Sequence, residues 1–321
     1  FDSKQEIFAA LVTDMSEHKK ALALAAEVQK SLLPRRGPEV RGLDVAGRNL
    51  SCEEIGGDYF DFIWRREAPG EPVSVVVGAI AGHGVDSALL MTAARAFLRM
   101  RASQPGSLAE VVGAMNRHLA EDVLESGNFM TLFYLTVDLA ADRLEWVRAG
   151  HDPALLYDPE RDRFEELKGG GPALGIDGAT TYPVSTRRGL CRGQVIAVGT
   201  DGIWEARNTA GAMYGKARFQ DLIRRHHRES ADRILEAVFH IQVVQARRQS
   251  DVDGIVHAKR RVQYLQRSQL RFVQHDLGID RKPQLKLEIV QGLLIRSDSV
   301  DPARGSSRAR GPSRCAGAAR A

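Results

Sequence analysis

An α+β domain of antiparallel strands, entered through one long helix, is the fold class this sequence predicts. Three observations predict it. Residues 5–33 contain no Gly or Pro, are rich in Ala, Leu, Glu and Lys, and stop at Pro34, as one long helix would. Strand-like runs gather at the start and end of the following two hundred or so residues, with two helical stretches between them and two late ones. After Gly127 the strands follow one another through turn residues instead of helices, so the regular alternation of a parallel α/β sheet is absent.

The elements can be justified in order. In the first helix Ile7, Leu11, Met15, Leu22, Ala25 and Leu32 recur at three-, four- or seven-residue steps, a sticky stripe that suits a short coiled coil or packing on its own domain. Leu43–Asn49, Tyr59–Trp64 and Val73–Ala81 read as strands, the third nearly all β-branched or small and apolar like a buried central strand. A helix at about 86–102 carries Leu89, Leu90, Ala93, Ala94 and Phe97 on one face. A second, at about 107–125, carries Leu108, Val111, Val112, Met115 and Leu119. FMTLFYLTVDL, RLEWVRAG and ALLYDP follow as strands, 169–172 is a loop, and Val195–Thr200 is another strand before helices at about 216–226 and 230–244. The last twenty residues have almost no large apolar side chain and read as disordered.

Composition narrows the class. The 321 residues suffice for one large domain or two small ones with a sizeable core. No run approaches the roughly 18 apolar residues of a membrane span, and no signal peptide is visible, which points to the cytoplasm. The chain starts at Phe1 and reads as a fragment of something longer upstream. Cys52, Cys191 and Cys315 lack metal-site spacing and read as reduced thiols. The net charge of +4 hides an asymmetry: residues 252–321 hold 14 Lys/Arg against 6 Asp/Glu, and the rest is slightly acidic. Nucleic-acid binding therefore has only the tail's composition behind it.

Two acids stand out for chemistry. In Glu54-Ile55-Gly56-Gly57-Asp58-Tyr59-Phe60-Asp61-Phe62, strand alternation sends Asp58, Phe60 and Phe62 to one face, Tyr59 and Asp61 to the other. An acid opening an apolar strand is costly unless paired, hydrogen-bonded or metal-bound. Ile196–Gly202 places Asp201 at the end of a second buried strand, again beside glycine. Together they suit oxygen ligands for a hard divalent cation, while each alone also reads as a plain turn. Gly82-His83-Gly84, between strand and helix, could cradle a phosphate but lacks the Lys-Ser/Thr of a P-loop. His83 and His151 each sit beside Gly at a strand end; a general acid and a buried structural histidine are the two readings for each, the second the plainer.

In this order the elements resemble the PPM-type serine/threonine protein phosphatases, in the branch of stage II sporulation protein E and the sigma-B-regulation phosphatases. The resemblance runs from about residue 25 to 240. It is carried by Glu27–Pro34 (EVQKSLLP), GGDYFDF, AGHGVDSALLM, Asn116 in Asn-x-x-Leu, FMTLFY, AGHDPALLY, GPALGI and GTDGIWEARN. It implies an antiparallel β-sandwich flanked by helices: a linker helix over 1–34 continuing from an upstream sensor or receiver domain, a phosphatase domain over 35–250 and an atypical basic tail over 251–321. It implies two Mn²⁺ or Mg²⁺ ions bridged by a water or hydroxide that attacks phosphorus in line. Carried over by position, the metal ligands are Asp58, Asp201 and the backbone carbonyl of Ile80, with Gly57, Gly82, His83, Gly84 and Gly202 beside the site.

Two departures from the family pattern matter. The family has a metal-bridging aspartate where this chain has Ala79, which has no oxygen to offer. The family also closes on an Asp-Asp-x-Thr strand, of which Ser250–Val256 keeps a shadow; Asp251 is its candidate third acid. The tail reads as a basic interaction segment or a shifted reading frame, and in the second case Asp251 is coincidental. The expected activity is hydrolysis of phosphoserine or phosphothreonine on a STAS-type anti-sigma-factor antagonist, impaired by Ala79. The alternative is a non-catalytic pseudophosphatase that binds such a partner. Homodimerisation through the N-terminal helix is a further expectation.

Overall fold

The computed structural model describes residues 17, 19–50, 55–64, 71–208, 211–240 and 290–297. Its first helix, α1, covers 19–32. Strands β1 (Leu43–Leu50), β2 (Asp58–Ile63) and β3 (Val73–Ile80) lead to helices α2 (Val85–Ala102) and α3 (Leu108–Asp122). Strands β4 (Met130–Asp138), β5 (Arg143–Ala149), β6 (Ala154–Asp158), β7 (Arg163–Leu167), β8 (Ser185–Arg188) and β9 (Val195–Gly199) follow, then helix α4 (Lys216–His226). Helix α5 covers 231–240, and β10 (Val290–Ser297) is the last described element.

The ten strands form two five-stranded antiparallel sheets, ordered β1-β10-β9-β6-β7 and β2-β3-β4-β5-β8. Period-two alternation makes them a sandwich. Phe60, Phe62, Val75, Val77, Phe133 and Leu135 from one sheet meet Val45, Leu156, Ile196, Val198 and Ile295 from the other in one buried cluster. The outer face of the second sheet carries Tyr59, Val76, Leu132 and Tyr134 against Met91, Leu98, Val112, Met115 and Leu119 of α2 and α3. The outer face of the first carries Leu155, Tyr157, Val195 and Ala197 against Phe219, Leu222, Ile234 and Val238 of α4 and α5. The layers are thus helix, sheet, sheet, helix, the α+β sandwich expected above.

Several local expectations need correction. The buried face of α2 is Ala88, Met91, Ala94 and Leu98, while Leu89 is 66% exposed; the stripe read from sequence is rotated by a residue. In α1 Ala26 is buried and Ala25 exposed, because the face that meets the domain runs through Leu22, Ala26 and Gln29. Residues 1–16, which carry the rest of the predicted coiled-coil stripe, lie outside the described residues. Helix α3 keeps its predicted face and starts on a capping box between Ser107 and Glu110. Strand β10 lies inside the span read as an atypical tail, where no strand was expected. Cys191 is disulfide-bonded, against the expectation of reduced thiols, and the other two cysteines lie outside the described residues. Among the described residues no helix is long and apolar enough to cross a membrane.

Candidate active site

The inner face of the sandwich turns polar at one end. Along β2 the inward positions run Phe62, Phe60, Asp58; along β4 they run Val137, Leu135, Phe133, Thr131; along β9 they run Ile196, Val198 and then Thr200. Asp58 is paired in register with Ala79 of β3, and Ala79 with Thr131 of β4. One row across the sheet therefore reads Asp, Ala, Thr, and Thr200 faces it from the other sheet, its hydroxyl 3.5 Å from Asp58 Oδ2.

Asp58 is 6% exposed. Burial, and then the negative charge of Asp201, push its carboxyl well above the usual carboxylate range, and the Thr200 hydroxyl pulls the other way. Asp201 itself is exposed, in a 3-10 turn Asp201–Ile203 that begins where β9 ends, and Gly202 is buried behind it. The two acids are far apart in sequence and close in space. A buried carboxylate with a second acid as its charged neighbour is an arrangement that a bound cation relieves.

The backbone around Asp58 is held tightly. Gly57 accepts from the Ile80 N–H at 3.0 Å, which ties the start of β2 to the end of β3. A Cβ on Gly57 would lie 3.0 Å from the Ile80 carbonyl oxygen and from Ser87 Cβ, so a side chain there would have to push these chains apart by a few tenths of an ångström. Gly82 and Gly84 have φ of +95° and +84°, and nothing crowds Gly84; here glycine serves the turn, not the space. Gly84 caps α2, whose first turn already carries Asp86. That acid uses the positive end of the helix, so the phosphate-cradle reading of this turn gains no support.

The two histidines differ. His83 is exposed, which corrects the reading of it as a buried structural residue; His151 is 4% exposed and bears that reading out. His151 Nδ1 lies 2.9 Å from the Thr131 hydroxyl, and that hydroxyl is 3.5 Å from the Ala79 carbonyl. Burial lowers the His151 pKa to about 4, with the Asp152 charge and the Gly199 carbonyl opposing. Its Nε2 is buried without a complete hydrogen bond. Arg148 fixes this corner by donating to the carbonyls of His151 and Gly169 at 2.6 and 2.8 Å.

Asp61 and Asn116 are structural. Asp61, fully buried, accepts from Tyr59 Oη at 2.8 Å, from the Phe62 N–H, and from Arg99 of α2 at 2.6 and 2.7 Å. Asn116 of α3 accepts from the Gly175 N–H and donates to the Asp177 carbonyl, pinning the loop after Pro172. Thr131 and Thr200 escape notice in the sequence. Their signal is a polar residue at an inward position of a strand whose other inward positions are apolar.

The donor set can be tested against the metals the resemblance implies. Asp58 and Asp201 supply two carboxylates suited to one hard cation. A bridged pair of ions is not matched: the position opposite Asp58 is the methyl of Ala79, and among the described residues no group of three or more His, Cys, Asp or Glu is placed to hold a metal. Asp251 lies outside the described residues.

Comparison with known proteins identifies the family and the fold. Residues 69–252 match the family model for stage II sporulation protein E. The phosphoserine phosphatase RsbU of Bacillus subtilis is 25% identical over 223 residues, 70% of this chain and 64% of that protein. The phosphoserine phosphatase RsbP of the same organism is 28% identical over 144 residues, 44% of this chain. The chain spans 64% and 34% of the lengths of these two relatives. Among solved structures, the SiaA-PP2C domain of Pseudomonas aeruginosa aligns with TM-score 0.66 at 20% identity, over 89% of this chain and 99% of that one. That likeness concerns the fold.

Proposed function

The chain belongs to the stage II sporulation protein E family, and from that premise we propose that it is built to hydrolyse phosphoserine or phosphothreonine on a regulatory protein, in an active site weakened by Ala79. The observation that carries this reading is the meeting of Asp58 and Asp201 at the polar end of the sandwich, with no oxygen opposite Asp58. Asp58 and Asp201 would hold a Mn²⁺ or Mg²⁺ ion, with the Ile80 carbonyl and Asp251 as further candidate donors. Such an ion, when bound, lowers the pKa of water and neutralises phosphoryl charge.

The chain's own groups prepare that site. Gly57 and Ile80 fix the backbone on either side of it, and the Thr200 hydroxyl orients the Asp58 carboxylate. His151 and Thr131 close its inner wall beside the Ala79 backbone. Two relatives are named phosphoserine phosphatases, which supports the phosphoserine part of the reading. A small STAS-type anti-sigma-factor antagonist is the proposed substrate, and an upstream sensor or receiver domain reached through α1 the proposed source of control. A cytoplasmic setting goes with both.

Loss of even an outer-shell partner of a metal ligand costs roughly 10–100-fold in affinity or activity, so a missing bridging ligand should cost more. Phosphate release from a phosphoserine STAS substrate with Mn²⁺ tests this directly. The Ala79→Asp variant should turn over at least about 100-fold faster than the parent chain. Equal turnover of the two would refute the role given to position 79. Absence of turnover in both would favour the second reading, a binding module without catalysis, for which the alanine opposite Asp58 is the specific support.

A further inference from the structure

Gln29 is the polar member of the α1 face that meets the domain, and both ends of its amide are used on a single glycine. Its Nε2 donates to the Gly56 carbonyl at 2.8 Å, and its Oε1 accepts from the Gly56 N–H at 3.0 Å. The side chain thus pairs with Gly56 as a neighbouring strand would, although the two residues are 27 positions apart. Gly56 is buried, and a buried backbone N–H and C=O must both find partners. Two positions on comes Asp58, and between them Gly57 is locked to Ile80.

The contact around the clamp is apolar. Ala26 packs with Ile55 and with Ala88 of α2, and Leu22 lies against them. One helix therefore grips the segment that delivers Asp58 from the side away from the sandwich core, by one reciprocal amide pair set among small apolar contacts. Ala26 and Ile55 supply adhesion without direction. The amide supplies direction, since its donor and acceptor match the backbone in one orientation only.

We propose that Gln29 is a positioning residue of the cation site: through the Gly56 backbone it sets where the Asp58 carboxylate stands. The proposal rests on the reading of Asp58 and Asp201 as cation ligands.

The test uses the full chain, with Mn²⁺ alone as the probe. Mn²⁺ affinity is measured by calorimetry, and hydrogen exchange by mass spectrometry on the peptide that carries Gly56, for Gln29→Ala, Gln29→Glu and Asn116→Ala. Asn116 makes an equivalent reciprocal pair with the loop at Gly175 and Asp177, so its loss controls for stability. Gln29→Ala should speed exchange at Gly56 and weaken Mn²⁺ binding about tenfold, the scale of an outer-shell partner. Gln29→Glu keeps an acceptor for the Gly56 N–H and should fall between Gln29→Ala and the parent. Asn116→Ala should lower the melting temperature and leave Mn²⁺ affinity within about twofold, well under that scale.

Faster exchange in Gln29→Ala with unchanged Mn²⁺ affinity would overturn the positioning role, as would equal weakening in Gln29→Ala and Asn116→Ala. Unchanged exchange would show that the clamp does not form. A parent chain that takes up no Mn²⁺ while the exchange difference persists would instead overturn the cation-site reading, and the positioning role with it.

Discussion

Asp58 and Asp61 stand three residues apart on one strand and have opposite surroundings. Asp61 faces the helices and is neutralised by Arg99; Asp58 faces the other sheet and meets another acid. Alternation along the strand separates them, so their division is legible from the amino-acid sequence. What alternation does not supply is the partner of each. His151 shows the same limit: its place beside glycine suggests burial, but only the fold shows that Thr131 holds it. With its pKa lowered to about 4, the folded chain binds fewer protons there than the unfolded chain between about pH 4 and the ordinary value of 6.5. Its contribution is therefore fully present above about pH 6.5 and lost as the pH falls toward 4, a total on the order of 3 kcal/mol. Urea unfolding across pH 4–7 should show that slope, and His151→Gln should flatten it; an unchanged slope would mean that other groups carry the acid sensitivity.

At the scale of elements, α2 is fastened to β2 by charged contacts as well as by packing: Arg99, at 2.6 Å, and Arg95, at 3.9 Å, both reach Asp61. The Asp61 carboxylate is fully buried and accepts from Arg99 Nε and Nη2, while the Arg99 side chain remains 44% exposed. Removing one partner of a buried pair leaves the other charge poorly compensated, and here only the more distant Arg95 would remain beside Asp61. Arg99→Ala should destabilise the chain by about 3 kcal/mol, the low end for such breaks because water reaches the arginine, and Arg99→Lys should recover only part, since lysine cannot form the two-pronged contact. Chemical denaturation measures both; a loss below about 1 kcal/mol would class the pair with ordinary surface bridges. Long periodic elements such as α3 and β4 are readable because burial repeats along them. Strands β7 and β8 are not: RFEEL and STRR are edge strands whose pattern is mostly exposed, and pairing alone makes them strands.

At the scale of the whole molecule, the first sheet depends on a strand from far along the chain. Strand β10 lies between β1 and β9, and β1 joins its sheet through β10. Ile295 and Ser297 of β10 are buried there. Ending the chain at residue 250 should therefore detach β1, expose the inner face of the sandwich and abolish the cooperative thermal transition. Circular dichroism melts of the two chains test this; an unchanged transition would show that β10 contributes nothing to the fold. The same architecture explains the site. Asp58 comes from one sheet and Asp201 from the other, so the pair exists only when both sheets close on each other.

The sequence by itself determined the class of fold, the strands and helices with strong periodicity, and the facing of Asp58 away from Asp61. These follow from residue types and their local spacing. Tertiary structure alone decided that Asp58 and Asp201 meet, that Thr131 and Thr200 line the site, that Gln29 grips Gly56, and that residues 290–297 fill the slot beside β1. Each of these is a contact between segments distant along the chain. Local pattern does not encode such contacts, because they depend on how whole sheets and helices stack.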